Sequence, residues 1–166
     1  MTLTKMLVLG IGLIGLIALG LYGFGKKSVY AEATIPASPQ SVWAVLTELE
    51  RYPEWNPAFS SAVGDLVIGG QMKYQFVQDE NTSYEVPATV LQVEPSRLLI
   101  QQGGMTGVIT YRHEYRLEPV TEGTLLRISE SYRGIYVPFW NTAPVERAYQ
   151  RVADALRDRV VELGLQ

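Results

Sequence analysis

The sequence has no cysteine and a single histidine, His113. Without cysteine there are no disulfides and no thiolate ligands. One histidine excludes the familiar multi-histidine metal sites and leaves only carboxylate donors. Positive charge is also scarce: 14 Lys and Arg stand against 17 Asp and Glu, for a net charge of -3 and a pI near 5.2. A nucleic-acid surface needs a basic patch, so no nucleic-acid partner is expected. No internal repeat, low-complexity run or charged tail interrupts the 166 residues. That length suits one domain with an appendage, and a core that needs neither bridges nor metal. No cofactor is expected.

Residues 6–24 lack charge altogether, bounded by Lys5 on one side and Lys26 and Lys27 on the other. As a helix this run would reach roughly 28 Å at about 1.5 Å per residue, near the thickness of a hydrocarbon core. The run therefore predicts a single-pass membrane anchor within residues 1–27, followed by a second unit over 28–166. The alternative is a cleaved secretory signal, with Lys5 as its basic start and Val29-Tyr30-Ala31 as its cleavage site, which would leave a secreted or periplasmic domain. The run is longer than a signal's apolar region, and cutting after Ala31 would remove half of the first strand. Both points favour the uncleaved anchor. Lys5 and the terminal amine nearly balance Lys26 and Lys27, so the side of the membrane stays open.

Beyond residue 27 the periodicity changes several times. Residues 28–35 are rich in β-formers and stop at Pro36. Ser38-Pro39 then gives an N-cap and a proline suited to a first helical turn, and Val42, Trp43, Val45, Leu46 and Leu49 form one apolar face. A bend or short helical turn follows at 52–57. Strands are predicted over 71–78, 84–94, 97–102, 106–119 and 124–135, separated by glycine, proline and asparagine. The last two alternate most clearly: Ile109, Tyr111, His113, Tyr115 and Leu117 face one way, as do Leu126, Ile128, Glu130 and Tyr132. One wet and one buried face imply an antiparallel meander. Finally, Val145, Ala148, Tyr149, Val152, Leu156, Val160 and Leu163 recur at steps of three and four, which predicts a long amphipathic helix over 142–163. The fold class is α+β, with this helix laid on the sheet.

The order of elements resembles the START-like, or SRPBCC, superfamily with its helix-grip fold, and within it the polyketide cyclase/dehydrase-like branch. The residues that carry the resemblance are Ile35-Pro36-Ala37-Ser38-Pro39-Gln40-Ser41-Val42-Trp43 and Tyr52-Pro53-Glu54-Trp55-Asn56-Pro57. Pro87-Ala88-Thr89-Val90, Val93-Glu94-Pro95 and Ser129-Glu130-Ser131 add to it. The resemblance implies a curved sheet wrapped round the last helix, with an apolar cavity between them that takes lipids, sterols, polyketides or quinones. Some members of the superfamily are cyclases, hydrolases or oxygenase components. A Rieske cluster is excluded by the missing cysteines.

Within such a cavity two polar residues stand out. If the last hairpin turns about Thr121-Glu122, Leu117 faces Leu126, Tyr115 faces Ile128, His113 faces Glu130 and Tyr111 faces Tyr132. Directly opposed Cβ atoms lie roughly 5 Å apart. A buried carboxylate is costly alone, which makes the histidine a sensible partner. Tyr111, His113, Glu130 and Tyr132 are therefore expected to orient the polar end of a hydrophobic ligand. Tyr74, Phe76, Tyr115, Val152 and Leu156 are expected to line the rest. The connector at 134–140 is too apolar for an ordinary loop, so Phe139 and Trp140 are candidates for a lid, or for core. The reading is a membrane-tethered binding protein for a hydrophobic small molecule. Two rivals stand beside it: an enzyme using His113 and Glu130 as acid and base, and an interaction module whose cavity is filled by its own side chains.

Overall fold

The computed structural model describes residues 3–79 and 82–165, without the side chains of positions 3, 4, 9, 14, 17–19, 21, 24, 78 and 79. A helix, α1 (Leu3–Phe24), leads into β1 (Lys26–Ile35). Two short helices follow, α2 (Pro39–Thr47) and α3 (Tyr52–Trp55), then β2 (Phe59–Gly64) and β3 (Gln71–Asp79). The remaining strands are β4 (Thr82–Glu94), β5 (Leu98–Met105), β6 (Ile109–Val120) and β7 (Gly123–Arg133), and α4 (Ala143–Glu162) closes the chain. All seven strands form one curved antiparallel sheet in the order β1-β7-β6-β5-β4-β3-β2. α2 and α3 carry the chain from β1 at one edge to β2 at the other.

Local chemistry explains the element ends. The Ser38 hydroxyl accepts from Ser41 N at 3.2 Å, and Pro39 opens α2 where no N–H is needed. Ahead of α4, Asn141 Oδ1 accepts from Ala143 N at 3.1 Å. The β6–β7 turn needs glycine at its end: Gly123 sits at φ +128°, and a Cβ there would lie 2.2 Å from Ile35 O.

The concave face of β1 presents Val29, Ala31, Ala33 and Ile35, all buried. α4 packs chiefly on that strand and on α2, and it buries Val145, Ala148, Tyr149, Val152, Ala153, Leu156 and Val160. Leu163, expected on the same stripe, lies past the helix end and is exposed. The core takes residues from all seven strands and from α2, α3 and α4, with α4 laid most closely on β1. At about 25 cal/mol per Å² of apolar surface, such burial is the main stabilising contribution.

The membrane anchor is corrected by this structure. Among the described residues no helix is long and apolar enough to cross a membrane. A helix does form over Leu3–Phe24, and five glycines are spaced along it. The single-pass localisation and the membrane partner expected of residues 6–24 are set aside.

Candidate functional site

β6 and β7 form the register that their alternation predicts. Tyr111 pairs with Tyr132, His113 with Glu130, Tyr115 with Ile128 and Leu117 with Leu126. The row continues onto the neighbouring strands, since Gln101 of β5 pairs with His113 and Val29 of β1 with Glu130. Gln101, His113 and Glu130 are all at least 95% buried, so three polar side chains share one row of the concave face.

His113 Nδ1 lies 2.9 Å from Glu130 Oε2. From the other layer, the Tyr149 hydroxyl of α4 donates to the same carboxylate oxygen. The bond from Nδ1 requires a proton on that nitrogen. In the neutral ring, Nε2 is then left with a free lone pair. That Nε2 is buried and has no hydrogen-bond partner among the described residues. The imidazole is held edge-on between two phenols, with ring centroids 4.5 Å from Tyr115 and 5.0 Å from Tyr149. Glu130 orients the histidine through one nitrogen, and the other remains available.

A cavity of about 360 Å³ opens beside this row. Its walls come from the β3–β7 side of the sheet and from the first turns of α4, with Val145 and Tyr149. Phe59, Tyr74 and Phe76 form a packed aromatic wall, with Phe59 centroids 5.4 Å from each of the other two. Exposed lining residues, among them Tyr84, Glu85, Pro87 and Gly104, mark its mouth. A second polar contact lies inside: Gln101 Nε2 donates to Tyr74 Oη at 2.5 Å. Tyr111 donates to Pro87 O at 2.6 Å, passing over Gly103, where a Cβ would lie 2.4 Å from the phenol oxygen. Glycine is required there for the ring to lie flat along the sheet.

Burial pushes the lining phenols up. Tyr74 is raised to about 12 by desolvation, although the Gln101 bond works in the opposite direction. Tyr111 and Tyr132 are raised by burial first and then by the negative charge of Glu130. Tyr149 is raised well above its ordinary value for the same two leading causes. Across the neutral range all four remain protonated donors in a mostly apolar wall. Among the described residues no group of three or more His, Cys, Asp or Glu could hold a metal ion.

Of the expected site residues, Tyr74, Phe76, Tyr111, His113, Tyr115, Glu130, Tyr132 and Trp140 line the cavity. Three do not. Phe139 is 72% exposed, whereas Val152 and Leu156 are fully buried in the core. Phe139 follows Pro138 in a single 3-10 turn that rotates it outward, while Trp140 turns in to meet the Tyr132 ring at 4.7 Å. Val152 and Leu156 lie too far along α4, where the helix contacts the sheet directly. From the sequence alone Tyr149 reads as a core residue of α4, and no pattern there assigns a role to Gln101, Phe59 or Tyr84.

Fold and site define a helix-grip protein with a cavity beside a buried polar row. The chain belongs to the family described as polyketide cyclase / dehydrase and lipid transport, whose model matches residues 26–161. No curated protein matches it in sequence. Among solved structures it is similar to a protein of Rhodobacter sphaeroides, with a TM-score of 0.69 at 19% identity, covering 82% of this chain and 93% of that one. The ZhuI aromatase/cyclase from Streptomyces sp. R1128 gives a TM-score of 0.68 at 14% identity, covering 82% and 94%. A norcoclaurine synthase point mutant from Thalictrum flavum, in complex with a transition-state analogue, gives 0.61 at 22%, covering 84% and 96%. At these identities the likeness is one of fold.

Proposed function

We propose that the protein binds a compact hydrophobic small molecule in the cavity, with the ligand's polar group held at His113. The observation that carries this is the buried His113 Nε2, without a hydrogen-bond partner among the described residues, in a mostly apolar pocket. Leaving a buried polar atom unpaired costs about 1–3 kcal/mol, which a ligand hydroxyl donating to that nitrogen would recover. The volume sits at the small end of the range for small-molecule sites. Apolar contact with Phe59, Phe76 and Tyr115 supplies affinity, less the cost of immobilising the ligand. Residues 28–166 form the binding unit in this reading.

Native mass spectrometry of the full chain, purified from its source cell without detergent, tests the proposal. A reproducible extra mass that extracts into organic solvent is expected, and it should be lost or reduced in His113→Ala and Glu130→Gln. A clean apo mass under gentle conditions would shift the reading to an interaction module without ligand.

A second reading rests on the same nitrogen. With Nδ1–H held by Glu130, the Nε2 of neutral His113 is a general base in a water-poor site, and the returned proton makes it an acid. The likeness to cyclase folds is compatible with that chemistry but does not carry it. Turnover of a hydrophobic substrate with a bell-shaped pH–rate profile, abolished by either substitution, would establish the enzyme.

A further inference from the structure

We propose that the convex face of the sheet carries an oxyanion site, built on Lys26, Arg112 and Arg133, none of which lines the cavity. A groove of about 700 Å³ crosses this face at the end nearest α1. Its lining includes these three cations together with Lys27, the hydroxyls of Ser28, Thr110 and Ser131, and no acidic residue. Lys27 is committed elsewhere, donating to the carbonyls of Pro138 and Trp140.

The register makes this cluster unfavourable on its own. Lys26 lies directly opposite Arg133, and Ser131 pairs both with Ser28 and with Arg112. Arg112 and Arg133 are thus diagonal neighbours, at about 7–8 Å, and like charges directly opposed across strands are destabilising. No acid offsets them: Lys26, Arg112 and Arg133 form no ion pair among the described residues. The other end of the same face shows the contrast. There Arg116 lies opposite Arg127, but Arg116 is paired with Glu114, and Arg127 with both Glu118 and Glu32. One like-charge contact is neutralised by the chain's own carboxylates; at the other, Arg133 lies over the Tyr22 ring, 5.7 Å from its centroid, and no carboxylate among the described residues pairs with the three cations. Two guanidinium forks, an ammonium and serine hydroxyls suit a tetrahedral phosphate or sulfate group better than a single carboxylate.

Two sources supply that chemistry. One is a free oxyanion. The other is the head of an amphiphile, because Gly104, Tyr111 and Tyr132 line this groove and the cavity alike.

Inorganic phosphate, titrated into the ¹⁵N-labelled full chain at constant ionic strength, decides the matter. Saturable amide shifts centred on Lys26, Arg112, Ser131 and Arg133 are expected. Arg112→Gln with Arg133→Gln should weaken binding about tenfold, as loss of charge-assisted hydrogen bonds implies. The control, Arg116→Gln with Arg127→Gln, removes the same net charge from the same face and should change binding less than about twofold, as expected of salt-screened distant charges. Equal weakening by both pairs, or shifts that never saturate, would overturn the site. Octyl phosphate separates the sources. Tighter binding than phosphate that the Arg112/Arg133 pair abolishes indicates an amphiphile head, and equal affinity indicates the free anion. Because the phosphate arm does not involve the cavity, a failed cavity reading would leave it standing.

Discussion

The two halves of α4 meet the same sheet in different ways. Toward its C-terminal end, Val152, Leu156 and Val160 are fully buried in a core that includes Ala31, Ala33, Leu117, Leu126 and Ile128. Toward its start, Val145 and Tyr149 border a cavity whose far wall is Tyr74, Phe76 and Tyr111. The helix offers one continuous apolar stripe throughout. What differs is the partner: alanines on β1 let the helix approach, and aromatic rings on β3 and β6 stand it off. The buried charged and amide groups Gln101, His113 and Glu130 belong to the cavity's lining, whereas buried Asn56 and Thr124 lie outside it. Close packing on one side holds the fold rigid enough for a void to persist on the other.

The largest expected effect breaks the packed side. Leu156→Ala should lower unfolding free energy by about 2–5 kcal/mol in urea titrations, as core truncations do when the site cannot collapse. Val145→Ala, at the cavity wall, should cost clearly less. Equal costs would mean that the two halves are packed alike.

Next comes the bond joining α4 to the polar row. Tyr149→Phe removes a donor from buried Glu130 and should cost about 1.5–3 kcal/mol, the range for hydrogen bonds to charged groups. It should also lower ligand occupancy, because Glu130 then holds His113 without its second donor. A stability loss with unchanged occupancy would show that the contact is structural alone.

A matched pair of enlargements sharpens the comparison. Ala33→Leu, in the strand that α4 packs on, should overpack and destabilise by about 1–3 kcal/mol. Ala88→Leu points into the cavity and should leave the melting temperature nearly unchanged while excluding ligand. Identical thermal behaviour of the two variants would contradict the division.

The smallest effect appears only in alkali. Tyr74 is raised by burial to about 12, against about 10 for an unfolded tyrosine. Below pH 10 both states hold the proton and stability is unaffected. Between about 10 and 12 the unfolded chain releases it first, so stability falls as pH rises through that window. Tyr74→Phe should flatten this decline in melts between those pH values, and an unchanged slope would assign it to other buried phenols.

The sequence by itself determined what local periodicity controls. The β6–β7 register, and with it the His113–Glu130 pair, was legible because a two-residue turn leaves strict alternation only one pairing. The amphipathic stripe of α4 and the antiparallel sheet were legible for the same reason. β2 was not, because a bulge between Phe59 and Ser61 breaks the alternation of a strand only six residues long. The site role of Gln101 was hidden too, since Leu98, Leu99, Ile100 and Gln101 are all buried and no face stands out. The tertiary structure alone decided the rest. Whether Tyr149 meets Glu130, whether Val152 and Leu156 face core or cavity, and where a void remains depend on how α4 is rotated and set down across strands distant in sequence. That placement follows from the summed shapes of many side chains, which no local pattern records.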